Sequence, residues 1–230
     1  KQLFDASFNA AQIDIQEFND PIFAFISESG AGKFEWVICT SVNSLDKYNG
    51  LSFSSEWQLN KRSYSSAQIL EAKKETKTIY AIEYEGVLAV SISENLIEEV
   101  VRQMESGISL EQDENFMRHL EIATHSDPFT ILINLAKSPT LVKNSLANSN
   151  PDWLSYFGTW VELDGAGNEN SLIFNGASIN SDSSNTYLTC FKNVGSPKIQ
   201  APEIVPGHAV AAVFFGADNF MIYQRNFDDF

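Results

Sequence analysis

The segment "AQILEAKKETKTIYAIEYEGVLAVSIS" (67–93) constrains the fold more than any other stretch. Three runs rich in β-branched and aromatic residues follow one another there: "AQILEAKK" (67–74), "TIYAIEYE" (78–85) and "VLAVSIS" (87–93). Few residues separate them, and Glu85-Gly86 has the composition of a tight hairpin turn. An antiparallel meander is the economical arrangement. Upstream, "PIFAFIS" (21–27) and "FEWVICTS" (34–41) flank "ESGAGK", which raises the question whether Gly30-Ala31-Gly32-Lys33 cradles a phosphate. A phosphate loop needs G-x-x-x-x-G-K-[ST] opening a helix, whose N-terminus and hydroxyl hold phosphate and magnesium. Here Ser27 stands where the first glycine should be, Phe34 follows Lys33, and a strand comes next. The expectation is a hairpin corner. In "AAQIDIQEF" (10–18), Ile13 and Ile15 alternate with Gln12, Asp14 and Gln16, the period of another strand. "VNSLDKYNG" (42–50) reads as a short helix ending at Gly50.

Helical punctuation begins at Ser93. It can cap "ENLIEEVVRQMES", whose Leu96, Ile97, Val100, Val101 and Met104 form one apolar stripe, and Gly107 closes the helix. Asp113 can cap "ENFMRHLEIA", with Phe116, Leu120 and Ala123 on one face. A strand (129–135) and a short helix (139–146) follow. A second hairpin (159–179), a helix (185–193), a strand (209–216) and a helix from about Asn219 then repeat the order loosely. The expected fold is α+β: antiparallel sheet with helices packed on it, in two loosely repeated hairpin–helix–strand–helix halves. Residues 1–76 read as a mainly β meander opening a longer protein, 77–150 as a first α+β unit and 151–230 as a second, with one compact domain as the alternative.

Charge narrows the partners. Thirty acidic against fifteen basic side chains give a formal charge of −15, which repels nucleic acid and anionic membrane. Lys61-Arg62 and Lys73, Lys74 and Lys77 are the basic clusters, and neither interleaves aromatics. No apolar run is long enough to cross a bilayer as a helix; "AVAAVFFGA" (209–217) suits a buried strand. The chain starts at Lys1 and stops at "NFDDF", which reads as a piece of something longer.

Four stretches carry a resemblance: "YEGVLAVSISENLIEEVVRQMESGISLEQDENFMRHL", "FTILINLAKSPTLV", "WVELDGAGNENSLIFNGAS" and "APEIVPGHAVAAVFFGADNF". In that order they resemble a bacterial family of exported, lipoprotein-like envelope proteins classed as a domain of unknown function. The resemblance covers about residues 78–230 and rests on the spacing of Gly86, the Ser91–Ser93 helix start, "SLEQDENF" and "PEIVPG". It implies a periplasmic, outer-envelope or extracellular protein with a signal or lipid anchor ahead of this piece. It supplies no catalytic residue, metal ligand or cofactor.

Candidate chemistry is thin. His119 and His125 stand six apart, which points them to different sides of a helix, unlike the i, i+4 pair of a zinc site; His208 is isolated. "DGAGNEN" (164–170) offers Asp164, Asn168, Glu169 and Asn170 as oxygen ligands, too few carboxylates for a calcium loop. "SLDK" (44–47) matches S-x-x-K, but neither S-D-N nor K-T-G follows. Glu83 and Glu85 would share a strand face; Glu98-Glu99 and Asp228-Asp229 are further acidic pairs. Cys39 and Cys190 sit among apolar neighbours, as two free thiols or one long-range disulfide. The aromatic corner from Trp153 to Trp160, with Tyr156 and Phe157, suits core packing or a contact surface. The expected function is therefore a non-catalytic, exported or envelope-associated module that binds a protein partner or the remainder of its own chain, with no metal and no cofactor. A hydrolase site assembled only by the fold, and a small-ligand carrier using the aromatic corner, are the alternatives.

Overall fold

The computed structural model describes residues 21–30, 32–41, 55–122, 127–145, 150–167, 170–180, 185–195, 197, 203–209 and 216–230. The strand expected at 10–18, the helix at 42–50 and residues 210–215 of the strand at 209–216 lie outside them. The chain divides into two compact units, Lys1–Ser109 and Leu110–Phe230.

In the first unit, strands β1 (Ile22–Gly30), β2 (Lys33–Ser41), β3 (Gln58–Tyr64), β4 (Ala67–Lys74), β5 (Lys77–Tyr84) and β6 (Val87–Ser91) form one antiparallel sheet in the order β1-β2-β6-β5-β4-β3. The meander expected from 67–93 is its centre. Ser65, Glu75 and Glu85 adopt left-handed φ of 51°, 53° and 48°, and Gly86 adopts 79°, so two-residue turns follow the sheet's own twist. GAGK does turn a corner: Gly32 takes φ 76° and its N–H donates to Glu28 Oε1 at 2.8 Å. Glu85 therefore sits in a turn, so Glu83 and Glu85 do not share a strand face as the sequence suggested.

Helix α1 (Glu94–Ser106) has the expected bounds. The Ser93 hydroxyl accepts the Leu96 N–H, and Gly107 ends the helix at φ 64°. Its Leu96, Ile97 and Val101 pack on Val37, Ala67, Ile69, Ile82 and Ala89 from one face of the sheet. Trp57, Ala72, Ile79, Ala81 and Val90 form a second core cluster. Adjacent strand positions face opposite ways, which explains why both parities of β4, β5 and β6 are apolar.

In the second unit, α2 (Glu114–Ile122), β7 (Phe129–Asn134), α3 (Ser138–Ser145), α4 (Trp153–Phe157), β8 (Trp160–Gly167), β9 (Leu172–Ala177) and α5 (Phe220–Asp228) follow in order, and β7-β8-β9 form an antiparallel sheet. The fold is thus α+β on antiparallel sheet, as expected. The unit boundary is not: residue 76 lies inside the β4–β5 hairpin, and the division falls after Ser109 because all six strands ladder together. The two expected copies do not form separate halves either, since β7 of the first pairs with β8 of the second. Residues 185–193 form only a 3-10 turn, Tyr187–Phe191, in which the Thr189 hydroxyl bonds the Thr186 carbonyl at 2.6 Å. Local side-chain bonding of this kind competes with a regular helix.

Candidate functional site

The register of β7-β8-β9 sorts the sheet into two chemically different faces. Trp160, Glu162 and Asp164 of β8 share one face with Thr130, Leu132 and Asn134 of β7 and with Asn175 and Ala177 of β9. The opposite face carries Phe129, Ile131, Ile133, Val161, Leu163, Gly165, Leu172, Phe174 and Gly176. Helix α2 covers the first, polar face. The apolar face holds exposed Phe129, Ile131, Leu172 and Phe174; on the first face Thr130, Ile173 and Asn175, on the outer strands, are exposed as well.

Asp113 builds the covered side. Its Oδ1 caps α2, accepting the N–H groups of Asn115 at 2.9 Å and Phe116 at 3.1 Å, while Oδ2 accepts the Trp160 indole N–H at 3.1 Å. The Phe116 ring meets Trp160 edge-on at 5.2 Å. His119 is fully buried: its Nε2 accepts the Ile179 N–H at 2.9 Å, and Nδ1 lies 2.7 Å from the Asn115 carbonyl. An imidazole that accepts at Nε2 donates from Nδ1, so both nitrogens are engaged: Nδ1 within α2, and Nε2 in pinning α2 to the segment after β9.

Glu162 and Asp164 lie beneath. The Thr130 hydroxyl donates to Asp164 Oδ1 at 2.6 Å. Glu162 is 3% exposed, and its Oε1 has no hydrogen-bond partner. Burial pushes its carboxyl above the ordinary range. A hydrogen bond that the protonated Glu162 donates to Asp164, and the charge of Asp164, add to the rise, while the Ala177 backbone and His119 partly oppose it. Two carboxyl groups bond to each other only when one keeps its proton, so the neighbouring Asp164 favours the protonated form of Glu162.

The outward face has no charged side chain on its three strands. Phe129 meets Phe174 edge-on at 5.9 Å across β8, above Gly165. A Cβ on Gly165 would lie 2.2 Å from Phe129 Cζ, so the glycine is what lets the ring lie flat there. Phe129, Ile131, Leu172 and Phe174 are all exposed. Alternation along β7 sets Phe129, Ile131 and Ile133 on one face but does not say which face the rest of the chain covers.

The remaining candidates are scattered. Trp153 and Tyr156 on α4 are 59% and 64% exposed, whereas Trp160 is 8% exposed and bound to Asp113. Phe157 stacks at 5.9 Å on Tyr187, which also contacts Phe191, Phe227 and Phe230, so the corner belongs to an aromatic layer joining α4 to α5. Asp164, offered as a calcium-loop residue, is instead a buried strand residue, and β8 continues to Gly167. His208 is exposed; His125, Asn168, Glu169 and "SLDK" lie outside the described residues. Cys39 and Cys190 are free thiols, and burial pushes the Cys39 thiol up to about 11. No cluster of three or more His, Cys, Asp or Glu side chains among the described residues is placed to hold a metal. Compared with known proteins, the chain matches no family model, no curated protein and no solved structure.

Proposed function

We infer that this chain is a non-catalytic binding module that docks, through the outer face of β7-β8-β9, on another macromolecule or on the remainder of its own chain. One observation carries the reading: the sheet turns its uncharged apolar face outward and keeps its carboxylates inside. Contiguous apolar surface on a sheet is the usual mark of an interaction site. Fully burying a large apolar side chain is worth roughly 1.5–3 kcal/mol, so four half-exposed ones leave several kcal/mol for a partner to recover. The catalytic alternative is less well supported, because Glu162, the acid with the disturbed environment, lies under α2 and both nitrogens of His119 are engaged. A carrier lined by Trp153, Tyr156 and Trp160 loses its third wall, since Trp160 is committed to Asp113. An exported or envelope setting rests on the resemblance and on the acidic charge. Among the described residues no helix is long and apolar enough to cross a membrane.

The test compares the immobilised chain with an Ile131→Lys/Phe174→Lys variant in an envelope extract. The expected result is a specific retained protein that the variant loses by at least about tenfold, the consequence of 1.4 kcal/mol or more. Equal retention by both chains contradicts the reading. So does a melting-temperature rise with a sugar, nucleotide or lipid alone, which would indicate a small-ligand site instead.

A further inference from the structure

The two edges of the six-stranded sheet differ in how they are defended. An edge strand presents unpaired backbone groups, and proteins blunt such edges with charge, proline or bulges. Edge strand β3, "QLNKRSY", carries Lys61 and Arg62, and Arg62 is held by Glu94 and Glu98 at 2.7 and 2.5 Å. Among the described residues, edge strand β1 has no such device over its first half. Pro21 precedes it, and the register shift between Glu28 and Gly30 ends its regular pairing, but Ile22-Phe23-Ala24-Phe25-Ile26 between them contains no charge, no proline and no bulge. All five residues are exposed, Phe23 at 63%. Phe23 and Phe25 stand on the face of Cys39 and Val37; Ile22, Ala24 and Ile26 stand on the other.

The five residues also read the same in both directions. Isoleucine, phenylalanine, alanine, phenylalanine, isoleucine is a palindrome about Ala24. An antiparallel pair related by a twofold axis sets each residue opposite its mirror position. A second copy centred on Ala24 therefore places Ile22 against Ile26 and Phe23 against Phe25, with aromatic pairs on one face and aliphatic pairs on the other. Aromatic and β-branched cross-strand pairs are the favoured kind. The same register ends with Ser27 opposite Pro21; Glu28 falls opposite Asp20, which lies outside the described residues.

We propose that β1 is the self-association edge of this protein, where the Ile22–Ile26 segment pairs antiparallel with the same segment of a second copy to join two sheets into one. This surface is separate from the outer face of β7-β8-β9 and does not depend on that reading. Each copy carries −15, so long-range repulsion opposes the contact and salt, by screening it, tightens the dimer.

Sedimentation equilibrium of the full chain at low and high salt tests it. The expected result is a reversible monomer–dimer equilibrium that shifts toward dimer as salt rises. Phe23→Lys/Phe25→Lys should weaken the dimer by about tenfold or more, since it sets lysines opposite one another at the edge. Ala24→Lys, which sets two lysines at the twofold axis, gives a second variant should the first fail to fold by circular dichroism. Ile131→Lys/Phe174→Lys should dimerise like the unchanged chain. A chain that stays monomeric at every concentration and salt overturns the proposal, as does a dimer that folded β1 variants retain at full strength.

Discussion

Gly176→Ala should destabilise the second unit by about 3 kcal/mol, a fall of roughly 10 °C in its melting temperature. Gly176 pairs with Leu163 between β9 and β8. A Cβ there would lie 1.9 Å from the Glu162 carbonyl oxygen, 2.9 Å from its carbonyl carbon and 2.8 Å from Leu163 Cδ2. Backbone atoms cannot rotate aside, so the strands must separate and the adjoining ladder bonds lengthen. Gly165→Ala provides the contrast. Its Cβ meets only the far end of the Phe129 ring, and exposed Phe129 can swing into solvent at the cost of its contact with Phe174, about 1 kcal/mol. Thermal melts followed by circular dichroism rank the two. A Gly176→Ala protein as stable as the unchanged chain, or a costlier Gly165→Ala, would contradict the described β8–β9 register.

The second large effect depends on pH. Glu162→Gln should leave stability at pH 4 nearly unchanged and raise it by about 1–2 kcal/mol at pH 8. The sign follows from the folded carboxyl lying above its ordinary 4.5. Stability linked to a raised value is complete below 4.5 and is lost as pH climbs through the folded value. Glutamine cannot lose a proton and still offers an N–H to Asp164. The groups facing position 162 are Asp164 on its own strand, the Ala177 backbone on β9 and His119 on α2, and the substitution keeps all three. Melting temperatures from pH 4 to 8 give the difference directly. A gap that stays constant with pH would contradict the raised folded value of Glu162.

Local chemistry carried most of what the sequence revealed. The 67–93 meander, the GAGK corner, the Ser93 cap, the helix from about Asn219 and the Gly107 stop all depend on a few adjacent residues, and each lies where local pattern placed it. What depended on distant partners was harder to read. The sequence sets Phe116, Leu120 and Ala123 on one face of α2; Leu120 is exposed and His119 is buried, while Ala123 lies outside the described residues. A polar sheet face beneath α2 rewards a histidine that can bond at both nitrogens, and apolar periodicity has no term for that. The outer face of β7 was hidden for the same reason. Alternation shows that two faces differ but not which of them the rest of the chain covers. Pairing of β7 with β8 joins residues some thirty positions apart, which element order alone could not disclose.

Hydroxyl-radical footprinting of the native chain, resolved by residue, most directly tests the inverted sheet on which the binding reading stands. Phe129, Leu172 and Phe174 should oxidise at rates near those of the unfolded chain, while Trp160, an intrinsically more reactive ring, stays protected behind α2. Protection of the three outer residues together with rapid oxidation of Trp160 would reverse the two faces and remove the docking surface.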